Sequence, residues 1–435
     1  MKVSKYTYVT KREGCSVLYN IFSENISVIE DELADKLMAN ELNVIKEHRR
    51  DFYDYLLNGG FILPADTNEP QLVVDTWQKE DTSPAKFSIY VNPTLDCNLR
   101  CWYCYEKHLK GSVMSEKVLE SLKKLIASKV KQPELKLLVV SFFGGEPLLK
   151  THEIVLPLIE YAQNLCNVYG KKFMTGFVTN ATLMTPDVLD AIVGVAQNPV
   201  GFQIALDGNR EYHNKTKHFE DKLGSYDLIL DNIKYALSKH AHIKIRLNAT
   251  AKNVDTYLDV LNELTQLSEE QKKYLHVDFQ RVWQDVNAPE DNFEIRQQRV
   301  RDFFKSEGFN MIEAKCINPS RCYADKDNHV VVNYNGDLFS CTARDFATED
   351  SEGVLTEDGS LKWNDKRSLR LSVRYGNQYC RSCSIFPLCH GGCSQNKLEY
   401  NETNGCMRKY TEKEKIDLIE NRIDFLLESV INFNS

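Results

Sequence analysis

No stretch of this 435-residue chain is apolar for long enough to cross a bilayer. Its start, Met1-Lys2-Val3-Ser4-Lys5, lacks the apolar core of a signal peptide. A cytoplasmic protein with no membrane partner is therefore expected. Positive charge is also in short supply: 54 Lys and Arg stand against 62 Asp and Glu, a net charge of -8 that argues against nucleic acid as a partner. Cysteine, by contrast, is abundant at 13 residues. Disulfides are rare in reducing cytosol, so metal or cluster ligation is the expected use of these thiols. The length suffices for two or three domains with cores of their own.

Residues 1–80 read as a small module. Short alternating runs at Tyr6 to Thr10, Val17 to Phe22 and Ile26 to Ile29 predict three strands, and helical patterns follow at Asp31 to Leu42 and Val44 to Leu57. The polar stretch from Ala65 to Ala85, with Pro70 and Pro84, reads as a linker. From Lys86 to about Trp283, strand patterns (Phe87 to Val91, Lys136 to Phe143, Lys172 to Thr179, Gly201 to Leu206, His242 to Thr250, Leu275 to Val282) alternate with helical ones, which predicts an α/β domain with a parallel sheet. Residues 411–435 carry apolar positions at helical spacing, as expected of a helix docked on the protein.

The chemistry concentrates after the first of those strands, in Pro93-Thr94-Leu95-Asp96-Cys97-Asn98-Leu99-Arg100-Cys101-Trp102-Tyr103-Cys104. Three thiolates on one short loop can hold three irons of a four-iron, four-sulfur cluster and leave the fourth iron open. Zinc is the other reading, because His108 lies close enough to Cys104 to complete a Cys3His set. Gly144-Gly145-Glu146-Pro147 follows the second strand, Thr179-Asn180-Ala181-Thr182 the third and Leu206-Asp207-Gly208 the fourth. In parallel α/β barrels, chemistry sits at those strand ends. A second cysteine-rich region holds Cys316, Cys322, Cys341, Cys380, Cys383, Cys389, Cys393 and Cys406. Cys-x2-Cys pairs of this kind are equally typical of structural zinc.

The Cys-x3-Cys-x2-Cys loop resembles the signature of the radical S-adenosylmethionine (SAM) enzymes, and the later cysteines resemble a SPASM domain with its extra upstream cysteine. The resemblance implies a partial (β/α)6 TIM-like barrel at 86–305, a winged-helix-like N-terminal module at 1–80 similar to peptide-recognition elements of the PqqD type, a cysteine-rich iron-sulfur domain at 310–410 and a terminal helix at 411–435. It further implies that Cys97, Cys101 and Cys104 hold the cluster on which SAM is split to a 5′-deoxyadenosyl radical. Gly144, Gly145, Glu146 and Pro147 would receive the SAM amino group, Asn180 and Asp207 would lie near its ribose and adenine, and Tyr103 would sit beside the adenine. Many relatives have Ser where this chain has Ala205, which puts one ribose hydrogen bond that the resemblance implies in doubt. Arg246 in the fifth strand is either a partner for the SAM carboxylate or an ordinary half-buried barrel residue. Cys316, Cys322, Cys341 and Cys393 would hold one auxiliary 4Fe-4S cluster, and Cys380, Cys383, Cys389 and Cys406 another.

These likenesses imply an enzyme that modifies a ribosomally made precursor peptide, by a thioether or carbon-carbon crosslink or a related oxidation, with three 4Fe-4S clusters, SAM and a flavodoxin- or ferredoxin-type electron donor. The closest alternative is an anaerobic sulfatase maturase making formylglycine. Those enzymes carry a basic Asp after the cysteine that matches Cys341, where this chain has Thr342. Asp325, Asp337 and Asp345 are substitutes for that base, though surface solvation is the expected role of each. A non-catalytic zinc-binding interaction protein is the remaining reading.

Overall fold

A computed structural model describes residues 1–285, 292–312, 320–400 and 405–433. The chain forms two compact units, one of residues 83–314 and 327–367, the other of 1–82, 315–326 and 368–435. These units do not follow the sequence segments, because the region expected to form a separate 310–410 domain is shared between them.

The first unit is built on six parallel strands, Lys86–Val91, Leu137–Phe142, Lys172–Thr179, Gly201–Leu206, His242–Ala249 and Leu275–Arg281, each hydrogen-bonded to its neighbour in chain order. Helices Glu116–Val130, Leu156–Val168, Pro186–Ala196, Tyr226–Ser238 and Tyr257–Leu264 connect them. Alternation buries one face of each strand, as Phe87, Ile89 and Val91 show in the first. Register aligns Phe142 with Phe177 and Phe177 with Phe202, and these rings stack with centroids 5.0 Å apart at both steps. The sheet runs on at both sides, with Asn310–Met311 parallel to the sixth strand and His329–Val332 parallel to the first. Antiparallel Asp337–Phe339, Gly353–Leu355 and Leu361–Trp363 complete eleven strands among the described residues.

The second unit begins with the three expected strands, at Thr7–Arg12, Cys15–Asn20 and Ile26–Ile29, which pair antiparallel. Helices Asp31–Met38, Leu42–His48 and Arg50–Asn58 follow. The pattern read as one helix from Val44 to Leu57 is broken at Arg49, whose backbone (φ -139°, ψ 67°) is not helical. The stretch read as a linker contains a 13-residue helix, Glu69–Asp81, capped by the Asn68 side chain, which accepts from Gln71 N at 3.3 Å, with Pro70 in its first turn. Val73, Val74 and Trp77 are buried on one side of this helix and pack with Tyr6, Tyr19 and Phe386. The terminal helix, Glu412–Phe433, buries Ile419 and Ile423 in the same cluster, while Glu420 accepts from Tyr8 (2.9 Å) and Arg12 (2.6 Å) on the outer β-strand. Among the described residues no helix is long and apolar enough to cross a membrane.

Candidate active site

The loop bearing Cys97, Cys101 and Cys104 leaves the first strand and is pinned by its own hydroxyls. Thr94 Oγ1 donates to the Ser112 carbonyl (2.6 Å), Asp96 N donates to Thr94 Oγ1 (2.9 Å) and Leu95 N to Ser112 Oγ (2.9 Å). Within it Cys97 is buried, Cys101 half-buried and Cys104 exposed, the last with His108 Nε2 3.5 Å from its sulfur. Leu99–Cys101 pairs antiparallel with Lys217–Phe219, which sets Lys217 opposite Cys101. Burial pushes the thiols of Cys97 and Cys101 up to about 12, with Glu146 adding to the rise at Cys97 and Lys217 opposing it at Cys101. Metal binding here must displace protons, as at any thiolate site.

The two glycines of the second strand's end hold this loop in place. Gly144 has φ +98°, and a side chain there would meet Thr94 O at 2.6 Å, while one at Gly145 would meet Asp96 O at 2.2 Å. Gly145 N and Glu146 N donate to those same carbonyls at 3.2 and 2.8 Å. Pro147 opens a short 3-10 turn directly after them. Glu146 is fully buried, and its carboxylate accepts from Leu148 N (2.9 Å), Thr179 Oγ1 (2.8 Å) and Asn180 N (2.8 Å). Burial pushes its carboxyl up against the pull of those three bonds. Asn180 in turn reaches the cysteine loop, with Nδ2 2.9 Å from Asn98 Oδ1 and 3.7 Å from Cys97 Sγ.

On the other side of the loop, Tyr103 donates to both oxygens of Asp207, at 2.8 and 2.9 Å, and accepts from Asn248 Nδ2 at 3.0 Å. Lys217 Nζ lies 3.6 Å from Asp207 Oδ2 and donates to the Ala205 carbonyl at 3.1 Å. Burial acts to discharge this lysine, but Asp207 and the nearby Cys101 and Cys97 outweigh it and hold its pKa above the ordinary value. Arg246, in register with Ala205, keeps a buried Nε that has no hydrogen-bond partner among the described residues. Lys217 and Asn248 were missed from the sequence. Each is a single polar residue outside any motif, and only the pairing of Lys217–Phe219 with the cysteine strand brings the lysine in.

A pair of carboxylates flanks the loop's exit. Asp345 accepts from Lys107 N at 3.0 Å, and the Glu106 carboxyl is pushed up to about 8 by burial and by Asp345. Thr342 is buried, with its carbonyl accepting from Tyr105 at 2.8 Å. Surface solvation is not the role of Asp325 or Asp337, both buried: Asp325 accepts from Ser394 at 2.9 Å and Asp337 from Asn335 at 2.8 Å.

Of the later cysteines, Cys380, Cys383, Cys389 and Cys406 line one cavity together with Gly391, Gly392, Arg408 and Lys415. Cys322 and Cys393 belong to the same unit, and Cys341 to the other. Cys316 lies outside the described residues. None of the twelve described cysteines is in a disulfide, and Cys166 is a fully buried core residue.

Three thiols on one loop, a backbone cradle that admits no side chains, and an arginine with an unanswered buried donor together fit a cluster carrying an anionic, amine-bearing ligand such as SAM. Residues 91–264 match the model of the Radical SAM superfamily. The chain is 22% identical over 354 residues to a cysteine-type anaerobic sulfatase-maturating enzyme of Clostridium novyi, covering 73% of this chain and 90% of that protein. Its fold matches native anSMEcpe with bound AdoMet and Cp18Cys peptide (TM-score 0.57, 18% identity, 80% of this chain and 99% of that one). It also matches Streptococcus suis SuiB bound to precursor peptide SuiA (TM-score 0.51, 14% identity, 92% of this chain and 96% of that one).

Proposed function

We propose that this chain, a radical SAM enzyme through its residues 91–264, modifies a ribosomally made precursor peptide, installing a thioether or carbon-carbon crosslink or a related oxidation. The group bound at Cys97, Cys101 and Cys104 would supply an electron to SAM and so a radical able to take hydrogen from an unactivated carbon. The chain's own residues do the holding. Arg246 would meet the SAM carboxylate, the carbonyls of the Gly144-Gly145 turn would face its ammonium, and Tyr103, fixed by Asp207 and Asn248, would wall the adenine side. Two auxiliary clusters on the later cysteines would accept the electron released as the new bond forms, and a flavodoxin- or ferredoxin-type protein would deliver the first one.

The observation that carries the peptide reading is an edge of the N-terminal sheet with which no other described strand pairs. Ile26–Ile29 is an edge strand, and beside it runs a groove of about 580 Å³ lined by Val28, Leu33, Arg49, Phe52 and Tyr55. An extended peptide adds to such an edge through main-chain hydrogen bonds and places alternate side chains in the groove. SuiB, matched over 92% of this chain, binds a precursor peptide. The test is the affinity of a precursor with and without its leader: the leader should dominate binding, and exposed Val28→Asp should weaken it about tenfold without altering the fold. Equal affinity for leaderless peptide removes the reading.

Sulfatase maturation is the second reading, favoured by the relative in Clostridium novyi. With Thr342 in place of the base, Glu106 and Asp345 are the carboxylates near the site that would take its role. Formylglycine produced from a Cys- or Ser-containing sulfatase peptide would establish it.

A further inference from the structure

Lys217 is a buried cation that the functional reading leaves unused. Its side chain is almost wholly enclosed, yet among the described residues it makes no short ion pair: Nζ sits 3.6 Å from Asp207 Oδ2 and donates its close hydrogen bond to a backbone carbonyl, that of Ala205, at 3.1 Å. Burying an ammonium costs several kcal/mol unless anions surround it. The fold nevertheless fixes its place twice. The strand Lys217–Phe219 sets it opposite Cys101. Its carbonyl accepts from Ser225 Oγ at 2.8 Å, Ser225 is bonded to His213 Nε2 at 3.1 Å, and His213 Nδ1 receives Asp207 N at 3.3 Å. The brace therefore ties the hairpin that carries the lysine to the strand end that carries its carboxylate.

Asp207 accepts from Tyr103 with both oxygens, and among the described residues its cationic neighbour is Lys217. We propose that Lys217 is a positioning residue of the SAM site: its charge holds the Asp207 carboxylate beneath Tyr103 and offsets the negative charge of the Cys97 and Cys101 thiolates. Cluster potentials follow net charge and hydrogen bonding around the sulfurs, so removing this cation makes the cluster harder to reduce. The inference rests on the radical SAM domain and not on the identity of the peptide.

The test is an anaerobic redox titration of the holoenzyme, following the EPR signal that changes on adding SAM, with SAM affinity measured alongside. Lys217→Gln keeps a donor for the Ala205 carbonyl but not the charge. It should shift the midpoint to more negative potential and weaken SAM binding roughly tenfold, the size of one charge-assisted hydrogen bond. Lys217→Arg should restore both, and Asp207→Asn, with the lysine kept, should shift the midpoint the other way. A Lys217→Gln enzyme with full iron and wild-type potential and affinity overturns the proposal. If that variant does not assemble its clusters, an unshifted midpoint in Asp207→Asn overturns it instead, and a positive shift sustains it.

Discussion

His213 is fully enclosed and accepts from Asp207 N, so a proton on its Nδ1 would set one donor against another. Burial, helped by Lys217, holds its pKa well below the ordinary 6.5. The unfolded chain takes up a proton at this residue as pH falls through 6.5 and the folded chain does not. The stabilisation is therefore complete above that pH and is lost below it. Urea denaturation between about pH 7.5 and 5.5 should show stability falling by up to about 1.4 kcal/mol per unit below pH 6.5. His213→Gln should flatten that slope, and an unchanged slope would locate the sensitivity elsewhere. Arg246→Met should leave the fold intact and weaken SAM binding about 10- to 100-fold, as loss of a bidentate charged contact does, measured by equilibrium titration of the cluster-loaded protein. The three thiols were legible in the sequence as a candidate ligand set because three cysteines in eight residues, directly after a strand, are spaced as ligands on one short loop. Lys217, His213 and Asn248 were not, since a lone polar residue acquires its role only from what the fold sets beside it.

At the scale of elements, six strands and their order were readable because apolar alternation and turn residues agree in every unit. The helix Glu69–Asp81 was not, because its surface is polar and Pro70, in its first turn, together with Pro84 beyond its end suggested a linker. What makes it a helix is the apolar side formed by Val73, Val74 and Trp77. Trp77 packs edge-on against Phe386 at 4.8 Å and lies under the Arg321 guanidinium, also at 4.8 Å, while Arg321 pairs with fully buried Asp81 at 3.0 Å. Trp77→Ala therefore empties a large volume and uncovers a buried ion pair. A loss of about 3–5 kcal/mol is expected, read as a lower denaturant midpoint. A loss below about 1 kcal/mol would mean that the helix is a spacer after all. The glycines of Gly144-Gly145 were legible as a motif, but as a motif they point only to a ligand that the backbone approaches. In the fold they let the second strand's end touch the backbone of the cysteine loop, so an alanine at Gly145 would displace the loop before it displaced SAM.

At the scale of the whole molecule, the cysteines divide by unit. Those of the first loop belong with the parallel sheet, and Cys380, Cys383, Cys389 and Cys406 line a cavity of the other unit. If the latter four hold a cluster of their own, the two should be separable. Anaerobically reconstituted wild-type protein should hold about twelve irons per chain, four at each of three sites. Cys383→Ala should bring this to about eight while leaving reductive cleavage of SAM to 5′-deoxyadenosine in place, because that step needs only the first loop. Cys101→Ala should also lose about four irons but abolish cleavage altogether. The informative outcome is the crossing of the two measurements. Iron content alone does not distinguish the variants, and cleavage alone does not reveal the auxiliary sites, but peptide modification in Cys383→Ala does. Loss of product with cleavage intact would assign the second unit's cluster to the oxidation that follows hydrogen abstraction, whereas full product formation would make those four cysteines a structural anchor.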